Sequence, residues 1–269
     1  MFRRVVIGAA VAISLLGSAA LSCELSLGVV PQFEHRRILA AWTPVIERLE
    51  TATGCTVRLR ASRSIPEFED EFQSGSFDIV YMNPFHAVMA HDEQNYLPII
   101  RSGARKLQGI LVVAADSEFQ DVKDLDGQEL AFPSPNALGA SLLMRAELTE
   151  SVGISYTTRY VGTHTSVYLN VYKQLVAAGG GVQRSLSTQD PALSEGLRVI
   201  YRTQQVPAHP IAIHPRVGSD HVAKITAEIL KIGAENPELL ERIPLKQPIE
   251  TNIDEYAALR DMGLEKFRE

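Results

Sequence analysis

The stretch from Asp78 to Ala90, DIVYMNPFHAVMA, decides the expected fold. Its first four residues have the composition of a short buried strand. Asn83-Pro84 then breaks the strand and a helix begins, because proline is tolerated at the first helical position. Backbone N–H groups at a helix start lack intrahelical partners, so such a loop suits an oxyanion, with Tyr81 and Asn83 as candidate donors. The alternative is that Tyr81 and Phe85 only pack between a sheet and its helix.

The residues before this stretch extend the pattern into alternating strands and helices. The predicted strands cover 25–30, 56–60 and 78–81, and the predicted helices cover 37–53 and 64–75. A βαβαβ order indicates an α/β fold with a parallel sheet and right-handed crossovers. Ligands bind beyond the carboxyl ends of such strands, where Gln32-Phe33 and Tyr81 to Asn83 both fall.

Composition excludes several classes of protein. The chain has 269 residues, of which 45% are hydrophobic and 22% charged, as in an ordinary globular protein with one large or two modest cores. The formal net charge is −6, and basic runs do not exceed clusters such as His35-Arg36-Arg37, so nucleic acid is not expected as a partner. The sequence has no nucleophile elbow, HExxH motif or paired cysteine–histidine spacing. We therefore expect neither an enzyme nor a cofactor or metal.

The N-terminus has the pattern of a secretory signal. Arg3-Arg4 precede an uncharged apolar run from Val5 to Leu21, which predicts a signal peptide over 1–22 and a periplasmic mature protein. No second apolar run approaches the roughly 20 residues that span a bilayer. The mature chain is expected to be soluble in the periplasm or tethered to a membrane by its end.

The two cysteines, Cys23 and Cys55, leave three alternatives open. Each precedes a predicted strand, and neighbouring parallel strands would bring their starts within bridging distance, so a disulfide is one alternative. A lipid attached to Cys23 after cleavage is another, although Ala20 stands where bacterial lipoproteins usually carry leucine. Two free thiols are the third, and none of the three implies catalysis.

Polar residues recur after two later predicted strands. Ser134 and Asn136 follow the strand 129–132 and precede a helix predicted over 138–150, where they either form a second half of the ligand site or only cap the helix. Thr163, His164 and Thr165 stand at the entrance of a helix predicted over 167–178 and offer donors to an oxyanion.

Arg184 follows Gly179 to Gly181, which either open the strand end that follows them or are no more than a loop. The segment from Val182 to Ser185 is predicted to be a strand end that faces the same cleft. A guanidinium in this position is suited to bidentate contacts with an oxyanion. We therefore include Arg184 among the candidate ligand-binding residues.

Two polar breaks near Ser102 and Thr203 predict crossings between two lobes. The first lobe is expected to contain 23–103 and 208–269, with 104–207 inserted as the second lobe. A monomer is expected.

The order of several segments resembles the periplasmic solute-binding proteins of phosphate, phosphite and phosphonate ABC transporters. The segments are GVVP (28–31), FDIVYMNPFHAVMA (77–90), DVKDLDGQELAFPSPNALGAS (121–141), YVGTHTSVYLNVYKQLVAAGGG (160–181) and RVIYRTQQVPAHPIAIHP (198–215). The resemblance implies a type II periplasmic binding protein, with two lobes of mixed, mainly parallel sheets flanked by helices and a ligand cleft at the hinge. It also implies that Tyr81, Asn83, Ser134, Asn136 and His164 line the pocket.

The resemblance implies capture of a small oxyanion for a membrane permease of an ABC importer. Members of this family that bind phosphonates typically have a Ser/Thr-rich cluster near Ser134 and acidic residues that hold an aminoalkyl group. This chain has Ser134-Pro135-Asn136-Ala137 at the position of the cluster, and after Ala178 it has Gly-Gly-Gly-Val-Gln-Arg where relatives usually have an Asp-Ala-Ala type strand. These departures argue against 2-aminoethylphosphonate, and a small oxyanion or a different solute fits at least as well. A sensor that reports to a membrane histidine kinase or cyclase, or a binder of a different organic solute, would carry the same residues.

Overall fold

A computed structural model describes residues 23–269, so the predicted signal peptide over 1–22 lies outside the described residues. In this range the strands are β1 (Glu24–Val29), β2 (Thr56–Arg60), β3 (Ile79–Tyr81), β4 (Leu97–Ser102), β5 (Leu107–Ala114), β6 (Glu129–Phe132), β7 (Thr157–Tyr160), β8 (Ala178–Val182), β9 (Leu197–Val206), β10 (Pro210–Ile213) and β11 (Pro248–Glu250). They form two mixed sheets, of six and five strands.

Helices flank both sheets. The α-helices are α1 (His35–Thr53), α2 (Ile65–Gln73), α3 (Pro84–Gln94), α4 (Leu143–Ala146), α5 (His164–Tyr172), α6 (Gln183–Ser187), α7 (Pro191–Glu195), α8 (Ser219–Glu235) and α9 (Pro237–Arg242). Wider π-helical turns, Leu138–Leu142 and Glu147–Val152, flank α4, and 3₁₀ helices cover Val122–Leu125, Ile253–Met262 and Leu264–Phe267. No helix in the described part of the chain is both long and apolar enough to cross a membrane.

The first sheet has the strand order β11-β4-β10-β3-β1-β2. β1 pairs in parallel with both β2 and β3, as the βαβαβ pattern predicts, and β10 returns antiparallel between β3 and β4. Helix α1 buries Trp42, Val45 and Leu49 against this sheet at helical spacing. Burial of these side chains fixes the ends of β1 and β3 relative to each other.

The second sheet has the order β7-β6-β8-β5-β9 and is built around β8. The glycines of β8, Gly179 to Gly181, lie in a strand, which excludes the alternative that they are only a loop. A Cβ on Gly180 would lie 1.9 Å from the carbonyl oxygen of Ala140, and one on Gly181 would lie 2.1 Å from the hydroxyl of Tyr168. Glycine is needed here because the backbone of β8 packs directly against its neighbours.

Three expectations about local structure were wrong. The helix predicted to extend to Ala178 ends at Tyr172. The strand end predicted over 182–185 covers only Val182, and helix α6 starts at Gln183. The short strand β11 was not predicted. The first two errors lie beside the glycine run. Because strands usually contain larger side chains, Gly179 to Gly181 do not look like a strand in the sequence.

Two short segments join the sheets, residues 103–106 between β4 and β5 and residues 207–209 between β9 and β10. The first sheet therefore takes strands from both parts of the chain, and the second takes its strands from the middle. A division at 103/104 and 207/208 stays a proposal.

A disulfide joins Cys23 and Cys55, whose Cα atoms are 4.5 Å apart. The pair lies one residue before the first register pair of β1 and β2, Glu24 with Thr56, so it closes the amino end of the sheet. The ring of His221 lies beside it, with Nε2 3.2 Å from the Cys55 sulfur.

Candidate functional site

A cleft of about 780 Å³ lies between the two sheets. The ends of β1, β3 and β4 and the residues before β10 supply the wall on the first sheet, and the end of β8 and the start of α5 supply the opposite wall. Carboxyl ends of neighbouring strands meet at one edge of a sheet, which is where ligands bind in α/β folds.

Tyr81, the last residue of β3, lines this cleft and is 2% exposed. Its ring packs 5.3 Å from the ring of Trp42 and stacks 5.5 Å from that of His209. Its hydroxyl is buried and has no hydrogen-bond partner among residues 23–269. Burial raises the pKa of Tyr81 far above its usual range, so the hydroxyl stays protonated and is available as a donor.

His209 lies in the segment before β10, where its ring faces Tyr81. The side-chain amide of Gln32 donates to His209 Nε2 over 3.1 Å, which places the ring proton of the neutral form on Nδ1. Burial lowers the pKa of His209 to about 3, and the nearby rings of His86 and His164 act in the same direction. The imidazole is therefore neutral at pH 7 in the unliganded protein.

His164 is the first residue of α5 and lies on the opposite wall. Its Nδ1 is 3.0 Å from the Ser185 hydroxyl, which is also 2.6 Å from the hydroxyl of Tyr168. Burial lowers the pKa of His164 to about 4. Because Ser185 holds Nδ1, the ring has a fixed orientation in the wall of the cleft.

Arg184 extends from α6 towards the first lobe. One of its terminal nitrogens, Nη2, donates to the carbonyl oxygens of Glu241 and Arg242 over 2.9 and 3.1 Å, at the end of α9. Its Nε is buried with no partner in the described part of the chain. Burial lowers the pKa of Arg184, but a guanidinium still remains charged near neutral pH, so the cleft contains a fixed positive charge close to Tyr81.

The structure brings together about half of the residues predicted to bind a ligand. Those that line the cleft are Gln32, Phe33, Tyr81, His164 and Arg184, and Asn83 lines a small pocket at its inner end. The Asn83 side chain caps α3 by accepting from the His86 N–H over 2.8 Å and donates to the backbone oxygen of Asn136.

The other predicted residues lie away from the cleft. The Asn136 amide donates to Glu69 and to the backbone oxygen of Glu269, each over 2.8 Å, so its hydrogen-bonding capacity is used within the protein. Ser134 is buried and its hydroxyl has no partner among the described residues, but it does not line the cleft. Thr163 caps α5 and lines a separate pocket, and Thr165 lines neither the cleft nor that pocket.

Sequence reasoning missed several residues of this site. His209 and Ser185 were overlooked, although the sequence places His209 in the polar crossing before β10, where a histidine between two prolines is a usable signal. The basic residues of the cleft were also missed, because they are scattered over four segments of the chain: Arg101, Arg105, Lys106, Arg202 and Lys246.

Fold and site define a two-lobed α/β binding protein whose ligand cleft lies between the lobes. The chain belongs to the periplasmic substrate-binding proteins of ABC phosphonate transporters, because the sequence model of that family matches residues 27–256. This confirms the resemblance and the fold class predicted from the sequence. Proteins of this family bind solutes for transport.

Solved structures share the fold at low sequence identity. A binding protein component of an ABC phosphonate transporter from Pseudomonas aeruginosa is 15% identical, with a TM-score of 0.82 over 91% of this chain and 87% of that one. PhnD1 from Prochlorococcus marinus, in complex with methylphosphonate, is also 15% identical, with a TM-score of 0.82 over 90% and 98%. A Xanthomonas citri protein bound to ATP is 16% identical, with a TM-score of 0.71 over 91% and 98%.

Proposed function

We propose that this protein captures a small tetrahedral phosphorus oxyanion in the periplasm and delivers it to the permease of an ABC importer. The observation that carries the proposal is the Tyr81 hydroxyl, which is buried in the cleft without a partner among residues 23–269. A buried polar group without a hydrogen bond costs about 1–3 kcal/mol, so such a group in a cleft indicates a missing acceptor.

The surrounding groups are suited to a negative ligand. The hydroxyl of Tyr81 is a neutral donor, and Arg184 adds a positive charge with a second unpartnered donor, Nε. His164 and His209 are neutral in the empty cleft, and a bound anion would favour their protonated forms by opposing the effect of burial. The cleft therefore gains donors as the anion enters.

Donors from both lobes explain how binding would be coupled to closure. Tyr81 ends β3 of the first sheet, whereas Arg184 and His164 lie on helices α6 and α5 beside the second sheet, so a ligand that contacts all three prefers the closed arrangement. A permease can recognise the closed form because only that form aligns the outer surfaces of both lobes. Proteins with this fold contain methylphosphonate in one relative and ATP in another, which is compatible with phosphorus ligands of different sizes.

Titration calorimetry with the mature protein tests the proposal. Phosphate, phosphite, methylphosphonate and sulfate should be compared at the same pH and ionic strength. We expect micromolar or tighter binding of at least one phosphorus oxyanion. No heat with any of the four would exclude a small oxyanion and favour an organic solute.

A further inference from the structure

The charges that line the cleft are opposite to the charge of the chain. The whole sequence has 32 acidic and 26 basic residues, but the residues lining the cleft include no aspartate or glutamate. They include six basic residues, which are Arg101, Arg105, Lys106, Arg184, Arg202 and Lys246. A cleft lined by one sign of charge concentrates ligands of the opposite sign.

Three of these basic residues are already engaged by the protein. Arg101 forms an ion pair with Glu255, Lys246 pairs with Glu241 over 2.9 Å, and Arg202 donates to the side chain of Gln183 over 3.1 Å. Their charges are partly neutralised or fixed in place by these contacts. They do not require a ligand.

Arg105 and Lys106 differ from the other three. Both lie in the segment 103–106 that joins the lobes, and neither side chain makes an ion pair or hydrogen bond to any residue in 23–269. Arg105 is also close enough to Arg184 to lower its pKa, together with Arg37 and after the larger effect of burial. Arg105 and Arg184 line the same cleft, so their positive charges act on a ligand there together.

The cleft is also larger than a simple oxyanion requires. At about 30 Å³ per water molecule, its 780 Å³ would hold on the order of 25 waters. Methylphosphonate has five heavy atoms, so before the lobes close on it at Tyr81 and Arg184 it would leave most of this space, including that beside Arg105 and Lys106, to solvent.

We propose that the ligand carries a second anionic group, a carboxylate or a further phosphoryl group, which binds at Arg105 and Lys106 while its phosphorus oxyanion binds at Tyr81 and Arg184. The proposal rests on the proposed function and specifies its ligand class. The second anionic group would pair with the unpaired charges of Arg105 and Lys106 in the segment that joins the lobes. If these two side chains are only solvated charges on an exposed segment, a second anionic group gains nothing.

A pair of ligands of nearly equal size separates the two cases. 3-Phosphonopropionate and n-propylphosphonate share the phosphonate head and the length of the chain, but only the first has a carboxylate. Calorimetry at about 0.05 M salt should give at least tenfold tighter binding of 3-phosphonopropionate to the wild-type protein. Equal affinities would overturn the second anionic site and leave the proposed function intact.

Variants locate the second group. In the double variant R105Q/K106Q the ratio of the two affinities should fall to about one or two, because the loss for 3-phosphonopropionate exceeds that for n-propylphosphonate. The double variant K224Q/K231Q removes the same charge from exposed positions on α8, away from the cleft, and should keep the wild-type ratio.

Two other outcomes overturn the inference. A wild-type ratio in R105Q/K106Q, with an unchanged melting temperature, would place the carboxylate elsewhere. No binding of either ligand or of phosphate, phosphite or methylphosphonate would overturn the proposed function, and the second anionic site with it.

Discussion

Polar groups at the two ends of strand β3 differ in whether the protein itself supplies their hydrogen-bond partners. Asp78 stands just before the strand, and its carboxylate accepts from the Ser26 N–H and hydroxyl, each over 2.7 Å, and from Arg216 over 2.6 Å. Burial alone would raise the pKa of Asp78, but these hydrogen bonds outweigh it and hold the pKa below its usual range. Tyr81, three residues later, has a buried hydroxyl with no partner in the described part of the chain.

The difference separates stability from binding within one sheet. At the amino end the Cys23–Cys55 disulfide and the Asp78 hydrogen bonds satisfy the protein's own groups. At the carboxyl end, buried groups of Tyr81 and Arg184 are left for an external partner. Changes at the amino end should therefore alter the free energy of unfolding, and changes at the carboxyl end should alter affinity.

The largest effect expected from a substitution is at the amino end. Replacing both Cys23 and Cys55 with serine should lower the free energy of unfolding by about 3–4 kcal/mol, because the disulfide restricts an unfolded chain across a sequence separation of 32 residues. Guanidinium unfolding of wild type and variant measures this. Ligand affinity should be unchanged, since the disulfide lies at the opposite end of the strands from the cleft.

Intact mass is the control for this prediction. Mature periplasmic protein should be lighter by two hydrogens than the reduced chain and should carry no lipid. A mass increment of diacylglycerol size, or equal stabilities of the two proteins, would show that the bond does not form in the cell.

The next effect concerns acid and the buried histidines of the cleft. The pKa values of His164 and His209, about 4 and about 3, lie below the value of about 6.5 in an unfolded chain. The unfolded state therefore binds more protons between pH 6.5 and 4, and the stability of the unliganded protein should fall as the pH falls through this range. Each histidine contributes a slope of up to about 1.4 kcal/mol per pH unit.

Melting curves of the unliganded protein at several pH values measure this slope. The variant His209→Asn should be less sensitive to acid than the wild type between pH 6.5 and 4. Replacing His35, which is exposed at the start of α1, with asparagine should leave the profile as it is in the wild type. A wild-type profile that is flat over this range would mean that these rings are solvated.

A smaller effect is expected for Tyr81→Phe. Removing a hydroxyl that has no partner among residues 23–269 should leave the melting temperature of the unliganded protein equal or slightly higher. Binding of the phosphorus oxyanion should weaken by about 1–3 kcal/mol, because the anion loses a donor in a buried site. Calorimetry and thermal melting of the same preparations measure both quantities.

Tyr96→Phe is the matched control for this change. The Tyr96 hydroxyl donates to the backbone oxygen of Phe77 over 2.7 Å, so its removal should cost about 1 kcal/mol of stability and leave affinity unchanged. If Tyr81→Phe destabilises the unliganded protein as Tyr96→Phe does and binds normally, Tyr81 is a packing residue.

The sequence predicts the first half of the fold better than the site. Helical spacing in α1 and the Asn83-Pro84 break identify β1 to β3 and their crossovers because these signals are local. The second half of the fold is predicted less well from the sequence. The glycines of β8 are required by contacts with Ala140 and Tyr168, and no local sequence pattern shows these contacts.

The site residues also differ in how well the sequence predicts them. Tyr81 and His164 stand at strand ends or helix starts, so their position in the chain predicts a place in the cleft. Asn136 has the same signal, but its amide donates to Glu69 and Glu269, which are distant in sequence, so only the folded chain reveals these contacts. Whether a polar group at a strand end is paired depends on the tertiary structure.

The smallest expected effect is that of salt on the rates of binding, which distinguishes the exposed charges of the outer cleft from the buried contacts of the inner cleft. Exposed charges act over the Debye length, which shortens from about 30 Å at 0.01 M salt to about 8 Å at 0.15 M, whereas buried contacts are screened much less. Raising the salt over this range should slow association of methylphosphonate only a few-fold, because the unpaired charges of Arg105 and Lys106 then attract the anion less. Dissociation should hardly change, since it is governed by Tyr81, Arg184 and His164 inside the cleft. Stopped-flow measurements that follow Trp42, the single tryptophan, which packs against Tyr81, give both rates. A salt effect confined to dissociation would mean that the exposed charges hold the bound anion instead of attracting it.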